Sequence, residues 1–328
     1  MPIEDYKVVL LHSDEMVKKG VHISLNDISD DLGWEVHYGP EFKLKQADVN
    51  KTIMLNSEPS ESFNLFIKHS YDLRFSHPKV VNYMWSDTIE AIPCDDVTRQ
   101  LYAYSCATFP TIFNSKFNMD CMLAYSRNMV SMSKLVNRKW AYAPLGIRTD
   151  KIVSEGMKTD YLLASVWHSM RFKSKGIDRS IEVAEKHFAS TGIKWKQYVL
   201  PNQVLTPSPA MEYLPQLGPE EKYQMFSKCR VFTSLSRDET YGLFHYELLQ
   251  AGAVGIFWQE PHVSGLFAGY PFVYDNVDDV AAFAATLKDD GEFAEARKKV
   301  ESWLTERKVE DRGTLKQRML AIMSGWVK

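Results

Sequence analysis

Short, nearly uninterrupted apolar runs alternate along this chain with longer stretches whose apolar residues recur every three or four positions. Lys7 to Leu11 (KVVLL) reads as a β-branched strand, and Val21, Ile23, Leu25, Ile28 and Leu32 then show helical spacing. Gly33 is placed to stop that helix, and Trp34 to Tyr38 reads as the next strand. Asn64 to Ile67, Val80 to Trp85 and Thr111 to Asn114 continue the series as buried strands. The rhythm restarts after Pro144, Leu145 and Gly146. Strands at Tyr161 to Ser165, Gln197 to Leu200, Arg230 to Ser234, Val254 to Trp258 and Phe272 to Tyr274 alternate there with helices at Ile177 to Ala189, Pro219 to Lys228 and Leu243 to Ala251. Helices from Val277 to Leu287 and from Glu292 onward close the chain. Strands alternating with helices predict parallel sheets, whose ligand face lies at the carboxyl ends of the strands. Two such units joined near residues 144 to 156 would face each other across a cleft, a common position for a ligand.

Length supports the two-unit reading, because 328 residues exceed the roughly 100 to 200 of one domain. With 45% hydrophobic and 25% charged residues the composition is that of an ordinary globular protein, which removes any case for disorder. A net charge of -3 argues against a general polyanion binder while leaving room for a local basic patch. Cys94, Cys106, Cys121 and Cys229 are too few for a disulfide scaffold and too widely spaced for a Cys-x-x-Cys zinc or redox motif. A reducing compartment is the simpler expectation. No uncharged run is long enough to span a bilayer, and Met1 to Leu11 carries Glu4 and Asp5 where a signal peptide needs a basic start, so a cytoplasmic location is expected.

Chemistry concentrates in Ser234 to Gly252, SLSRDETYGLFHYELLQAG. A strand ends in a polar turn, Glu239 stands just before a glycine, and a helix opens at about Gly242. The first amides of that helix have no intrahelical partners and sit at the positive end of its dipole, so they suit a phosphate. Glu247 lies within the first two turns, where a carboxylate can accept hydrogen bonds from paired hydroxyls. One unit earlier, SVWHSMRFKSKGIDRSIEVA (Ser165 to Ala184) runs from a strand through a basic loop into Lys175-Gly176, which opens another helix.

These segments resemble the retaining glycosyltransferases of family 4, whose signature is Glu-x7-Glu with an internal Gly-Leu. The matching residues are Glu239, Gly242, Leu243 and Glu247, followed by Ala251 and Gly252. The resemblance implies the GT-B fold: α/β, two Rossmann-like parallel-sheet domains facing a central cleft, an acceptor-side domain over 1–145 and a nucleotide-sugar-binding domain over 146–328. It implies that Glu239 contacts the donor sugar, that Glu247 holds the nucleotide ribose, and that Lys175 and a nearby arginine neutralise the donor diphosphate. The usual arginine offset falls near Ser169, which leaves Arg171 as the nearest candidate and Lys173 as a substitute. Fixed cations there stabilise the departing diphosphate more in the transition state than before it. The hinge Ala143-Pro144-Leu145-Gly146-Ile147-Arg148-Thr149-Asp150 keeps only the Pro-x-Gly frame of the family's connection. The match covers residues 140 to 290 well and is looser before them.

In the N-terminal half the family's glycine-rich loop is represented only by Gly20, which reads equally as a glycine opening a helix. His69 and Asp87, just past two expected strands, are candidates for the transferred sugar or the acceptor. Residues 121 to 149 carry Arg127, Lys134, Arg138 and Lys139 with no acid, interleaved with Tyr125, Trp140 and Tyr142. Such mixing suits a polyanion, so double-stranded DNA with hydroxymethylated bases, as in bacteriophages, stands among the acceptors beside polysaccharides, lipids and small molecules. A solvated helix face is the commoner source of such a run, and Met119, Met122, Met129 and Met132 read as core filling.

Two classes of function remain. The first is a retaining hexosyl- or pentosyltransferase that takes a nucleotide sugar such as a UDP-sugar as co-substrate and requires no metal or other cofactor. The second is a non-catalytic nucleotide-sugar-binding protein, favoured by the displaced arginine and the reduced glycine loop.

Overall fold

The computed structural model describes residues 3–12, 20–39, 41–72, 74, 76–84, 89, 95–127, 139–154, 156–167, 173–199, 207–215, 217–239, 241–307 and 312–327. The chain divides into two compact units, Met1–Gly146 with Arg312–Lys328, and Ile147–Asp311.

The first unit is a six-stranded parallel sheet built from β1 (Lys7–His12), β2 (Glu35–Tyr38), β3 (Thr52–Asn56), β4 (Lys79–Met84), β5 (Thr111–Phe113) and β6 (Trp140–Tyr142), in the order β2-β1-β3-β4-β5-β6. Helices α1 (Gly20–Leu32), α2 (Ser62–His69), α3 (Asp96–Thr108) and α4 (Lys116–Arg127) connect the strands. Parallel strands are covered on both faces, which is why β3 is buried at all five positions and β1 at all but Lys7. One layer of core gathers Val9, Leu11, Leu44, Val49 and Met54, and another gathers Met84, Tyr102, Cys106, Phe113 and Met122 with Met119 and Trp140 against it. Met119 and Met122 are therefore core filling, while Met129 and Met132 lie outside the described residues.

The segment Asn64 to Ile67, expected as a strand, lies inside α2. The strand falls about ten residues earlier, at β3. Pro59 opens a 3-10 turn, Pro59–Glu61, that leads into the helix, and burial there is confined to Ser62 and His69, one helical face. Ile67 is 65% exposed, which no interior strand of a covered sheet permits. An apolar run this short does not by its spacing separate strand from helix.

The second unit is also a six-stranded parallel sheet: β7 (Asp160–Trp167), β8 (Trp195–Val199), β9 (Met211–Leu214), β10 (Cys229–Ser234), β11 (Val254–Trp258) and β12 (Val273–Tyr274), ordered β12-β11-β10-β7-β8-β9. Its helices are α5 (Ile177–Thr191), α6 (Pro219–Lys228), α7 (Leu243–Gln250), α8 (Pro261–Leu266), α9 (Val277–Thr286) and α10 (Asp290–Arg307). Helix α5 buries Ile177, Ser180, Val183, Ala184 and His187 on one face and ends at Gly192, whose φ of 72° is the left-handed conformation of a helix stop. The last helix, α11 (Arg312–Val327), groups with the first unit and packs on its opening turn, Ile3–Asp5. The domain expected to run from 146 to 328 thus gives up its final helix. Among the described residues, no helix is long and apolar enough to cross a membrane.

Candidate active site

In the second unit strand order reverses between β10 and β7, so the loops leaving their carboxyl ends diverge to opposite sides and open a crevice. Loop 173–176 leads to α5, and the loop from Leu235 onward leads to α7. Both helices begin on a left-handed glycine, Gly176 at φ 61° and Gly242 at φ 75°. Each glycine is required twice over. A Cβ on Gly176 would lie 1.8 Å from the Leu235 carbonyl oxygen, and one on Gly242 would lie 2.7 Å from both His245 Nδ1 and Phe267 Cζ.

This packing brings Lys175 and Glu239 together. Lys175 Nζ lies 3.8 Å from Glu239 Oε2 and donates to the Asp238 carbonyl at 3.2 Å, with the two side chains 18% and 24% exposed. The pair is near enough to water to meet a ligand and enclosed enough for its field to be felt. Leu243, the first residue of α7, is half-buried behind Gly242.

Around the pair stand groups that the sequence reading did not single out. The Arg237 guanidinium donates to both carboxylate oxygens of Asp178, at 3.1 and 3.0 Å. Burial pushes the Asp178 carboxyl up, but the bonds from Arg237 and the Arg179 amide outweigh it and hold the carboxyl below its usual range. His245 is buried among Phe232, Phe257 and Phe267, and that burial pushes its pKa down to about 4. His262 is shifted down for the same reason. Both imidazoles feel the charges of Glu239 and Lys175, and both are neutral at pH 7. The only signal in the sequence was the opposite charge of Arg237, in the loop before Gly242, and Asp178, just after Gly176. Nothing in linear spacing joins residues 59 apart.

Glu247 is placed differently from Glu239. It is 1% exposed, and Lys222 Nζ at 3.0 Å and the Tyr223 hydroxyl at 2.7 Å, both from α6, donate to its two oxygens. A carboxylate held this way is fixed in place, and contact with a ribose requires it to share or exchange one of these donors.

The remaining candidates scatter. His69 ends α2, which runs back from the carboxyl end of β3, so it lies toward the amino end of the sheet and not the expected ligand end. It is buried beside Phe42, accepts from the Leu44 amide at 3.3 Å, and is shifted below its usual pKa by burial. Gly20 opens α1. Arg127 is exposed at the end of α4. Lys139 Nζ donates to the Trp326 carbonyl at 3.0 Å, the place a cation takes at a helix carboxyl end. Arg171, Asp87, Lys134 and Arg138 lie outside the described residues. Lys173 is exposed, and its carbonyl accepts from Arg237. Among the described residues no three His, Cys, Asp or Glu side chains cluster at metal-binding spacing.

No family model matches the sequence, and no curated protein matches it either. Solved structures do. Anabaena HepE, in complex with UDP and glucose, superposes over 98% of this chain and 100% of its own with a TM-score of 0.69 at 11% identity. WaaG, a glycosyltransferase involved in lipopolysaccharide biosynthesis, covers 97% of this chain and 100% of its own with a TM-score of 0.64 at 11% identity. TarM covers 84% with a TM-score of 0.61 at 12% identity, and the chain spans 55% of TarM's length. At such identities the likeness shows the fold alone: two parallel six-stranded α/β sheets, the fold class these GT-B glycosyltransferase neighbours share.

Proposed function

We propose that this protein is a retaining glycosyltransferase that takes a hexosyl or pentosyl group from a nucleotide sugar, such as a UDP-sugar, and passes it to an acceptor hydroxyl. One observation carries the reading: Lys175 and Glu239, 64 positions apart, meet at the switch point of the second unit, where both following helices begin on left-handed glycines. A donor diphosphate at these helix starts would face the positive ends of two helix dipoles and the Lys175 ammonium together. As the glycosidic bond breaks, charge grows on the diphosphate, and a cation already fixed by the Asp238 carbonyl needs no reorganisation to meet it. Glu239 faces the same space and serves the donor sugar's hydroxyls as acceptor. Retention would follow from attack on the leaving-group side, with the departing phosphate accepting the acceptor's proton. HepE, with UDP and glucose bound to the same fold, supports a uridine donor.

A hydroxyl is as far as the residues carry the acceptor. Of the four cations considered for a DNA backbone, Lys139 serves a helix end, Arg127 is exposed, and Lys134 and Arg138 lie outside the described residues.

Release of nucleoside diphosphate from a panel of UDP-, GDP- and ADP-sugars tests the proposal. Hydrolysis of one donor is expected, with loss of release in Glu239→Gln. Tight binding of a nucleotide without turnover would point to the non-catalytic binding protein, and absence of both would sink the reading.

A further inference from the structure

Lys175 has to be held in place, yet the turn that bears it has no regular secondary structure between Lys173 and Gly176. What immobilises it is the neighbouring loop. The Arg237 amide donates to the Ser174 carbonyl at 2.8 Å, and the Ser236 hydroxyl shares its one proton between that carbonyl, at 3.1 Å, and the Asp238 carbonyl, at 2.6 Å. One arm of the Arg237 guanidinium reaches the Lys173 carbonyl, and both arms grip Asp178 in the first turn of α5. Arg237 therefore bonds the chain on both sides of Lys175, at 173 and 174 before it and at 178 after it. The same short loop presents the Asp238 carbonyl and the Glu239 carboxylate to the Lys175 ammonium.

We infer that Arg237 and Asp178 form a two-armed clamp that positions Lys175 against the donor's leaving group, an inference that rests on the proposed transferase reading. The chemistry suits an arginine. Its planar fork places two donors on one carboxylate while a further N–H reaches a carbonyl, and a lysine's single ammonium cannot span both. Asp178 is equally specific: a carboxylate at the start of a helix is favoured by the dipole, so it remains an anion for the guanidinium. The side chains of the pair are 33% and 35% exposed, and ion pairs this open contribute little to overall stability. A merely structural pair would leave kinetics untouched when removed. A positioning pair would leave the fold intact and disturb Lys175.

The test uses Arg237→Met, Asp178→Asn and their double variant in the full chain, with Arg237→Lys as the conservative change. The first readout is acetylation of Lys175 by N-hydroxysuccinimidyl acetate, followed by peptide mass spectrometry. Each single variant should expose the freed amine and speed its labelling severalfold, with no further gain in the double variant and a partial effect in Arg237→Lys. Labelling at the unmodified rate, with thermal unfolding also unchanged, would overturn the inference. The second readout is donor turnover. Each single variant should lower kcat about tenfold with KM for the donor within about threefold, and the double variant should be no worse than the poorer single, as residues acting as one unit require. Effects that multiply in the double variant would overturn the clamp. If the unmodified chain turns over no nucleotide sugar, the transferase reading falls while the labelling result still decides whether Arg237 and Asp178 hold Lys175.

Discussion

In the first unit the strand order reverses between β1 and β3, and among the described residues a chain of hydrogen-bonded side chains gathers at their carboxyl ends. His12 shares its Nδ1 with the Ser57 hydroxyl at 2.9 Å and donates from Nε2 to Asn26 at 2.8 Å, and Asn26 donates to the Tyr38 hydroxyl at 2.6 Å. In the second unit the reversal falls between β10 and β7, and the side chains gathered there are Lys175, Glu239, Arg237 and Asp178. Both sheets are parallel, six-stranded and covered by helices, so in each the loops at the switch point leave to opposite sides. The hydrogen-bonded set of the first unit bonds within itself, with His12 2% exposed and Asn26 and Tyr38 half-buried. The charged set is partly open, with its side chains 18 to 35% exposed, and a partly enclosed cation on a fixed backbone retains a field for an arriving anion. A switch point thus supplies a location, and its side chains decide what that location can bind.

The contrast is open to four tests. The largest effect is expected from Lys175→Ala, which should lower kcat by about a hundredfold or more while KM changes less, because the charge that Lys175 faces grows during bond cleavage. Wild-type kcat would make the charged switch point no more than a solvated loop.

Acid should separate the units next. His245 and His187, both in the second unit, are each held at about 4 by burial against an ordinary 6.5. Their folded pKa values are depressed, so the stability they confer is fully present above about pH 6.5 and is lost as pH falls toward 4, where the unfolded chain binds protons that the folded one refuses. Each contributes up to about 3 kcal/mol over that window. Urea unfolding at pH 7, 5.5 and 4.5 should show the loss, and His245→Gln should reduce its slope by up to about one proton. Stability independent of pH would remove the neutral histidines from the picture.

Glu247→Ala comes third. Loss of a charge-assisted contact should weaken nucleotide binding by about 1.5 to 3 kcal/mol in calorimetry. Unchanged affinity, with lowered stability, would restrict Glu247 to holding Lys222 and Tyr223. The smallest effect is expected in the first unit. His12→Ala should cost about 1 to 2 kcal/mol of stability through the broken chain of hydrogen bonds, with UDP affinity unaltered. A large loss of UDP affinity would erase the distinction between the two switch points.

Local signals made most of this legible. The alternation of short apolar runs with helical spacing determined β1, α1, β4 and, apart from β9 and α8, the elements of the second unit, because buried parallel strands read as unbroken apolar runs and because Gly33 and Pro219 mark helix ends. Glycine at 176 and 242 beside Lys175 and Glu239 marked the two loops, since the left-handed conformation leaves few alternatives. Tertiary structure decided the rest. It placed the strand of the 50s at Thr52–Asn56 and turned Ser62–His69 into a helix, which carried His69 away from the ligand end of the sheet. It returned α11 to the first unit and gave Lys139 a helix terminus to cap. It also joined Arg237 to Asp178 and closed Glu247 behind Lys222 and Tyr223. Secondary structure is written in spacings of two to four residues, whereas these pairings depend on which strands become neighbours, and that order is settled only when both faces of each sheet are buried together.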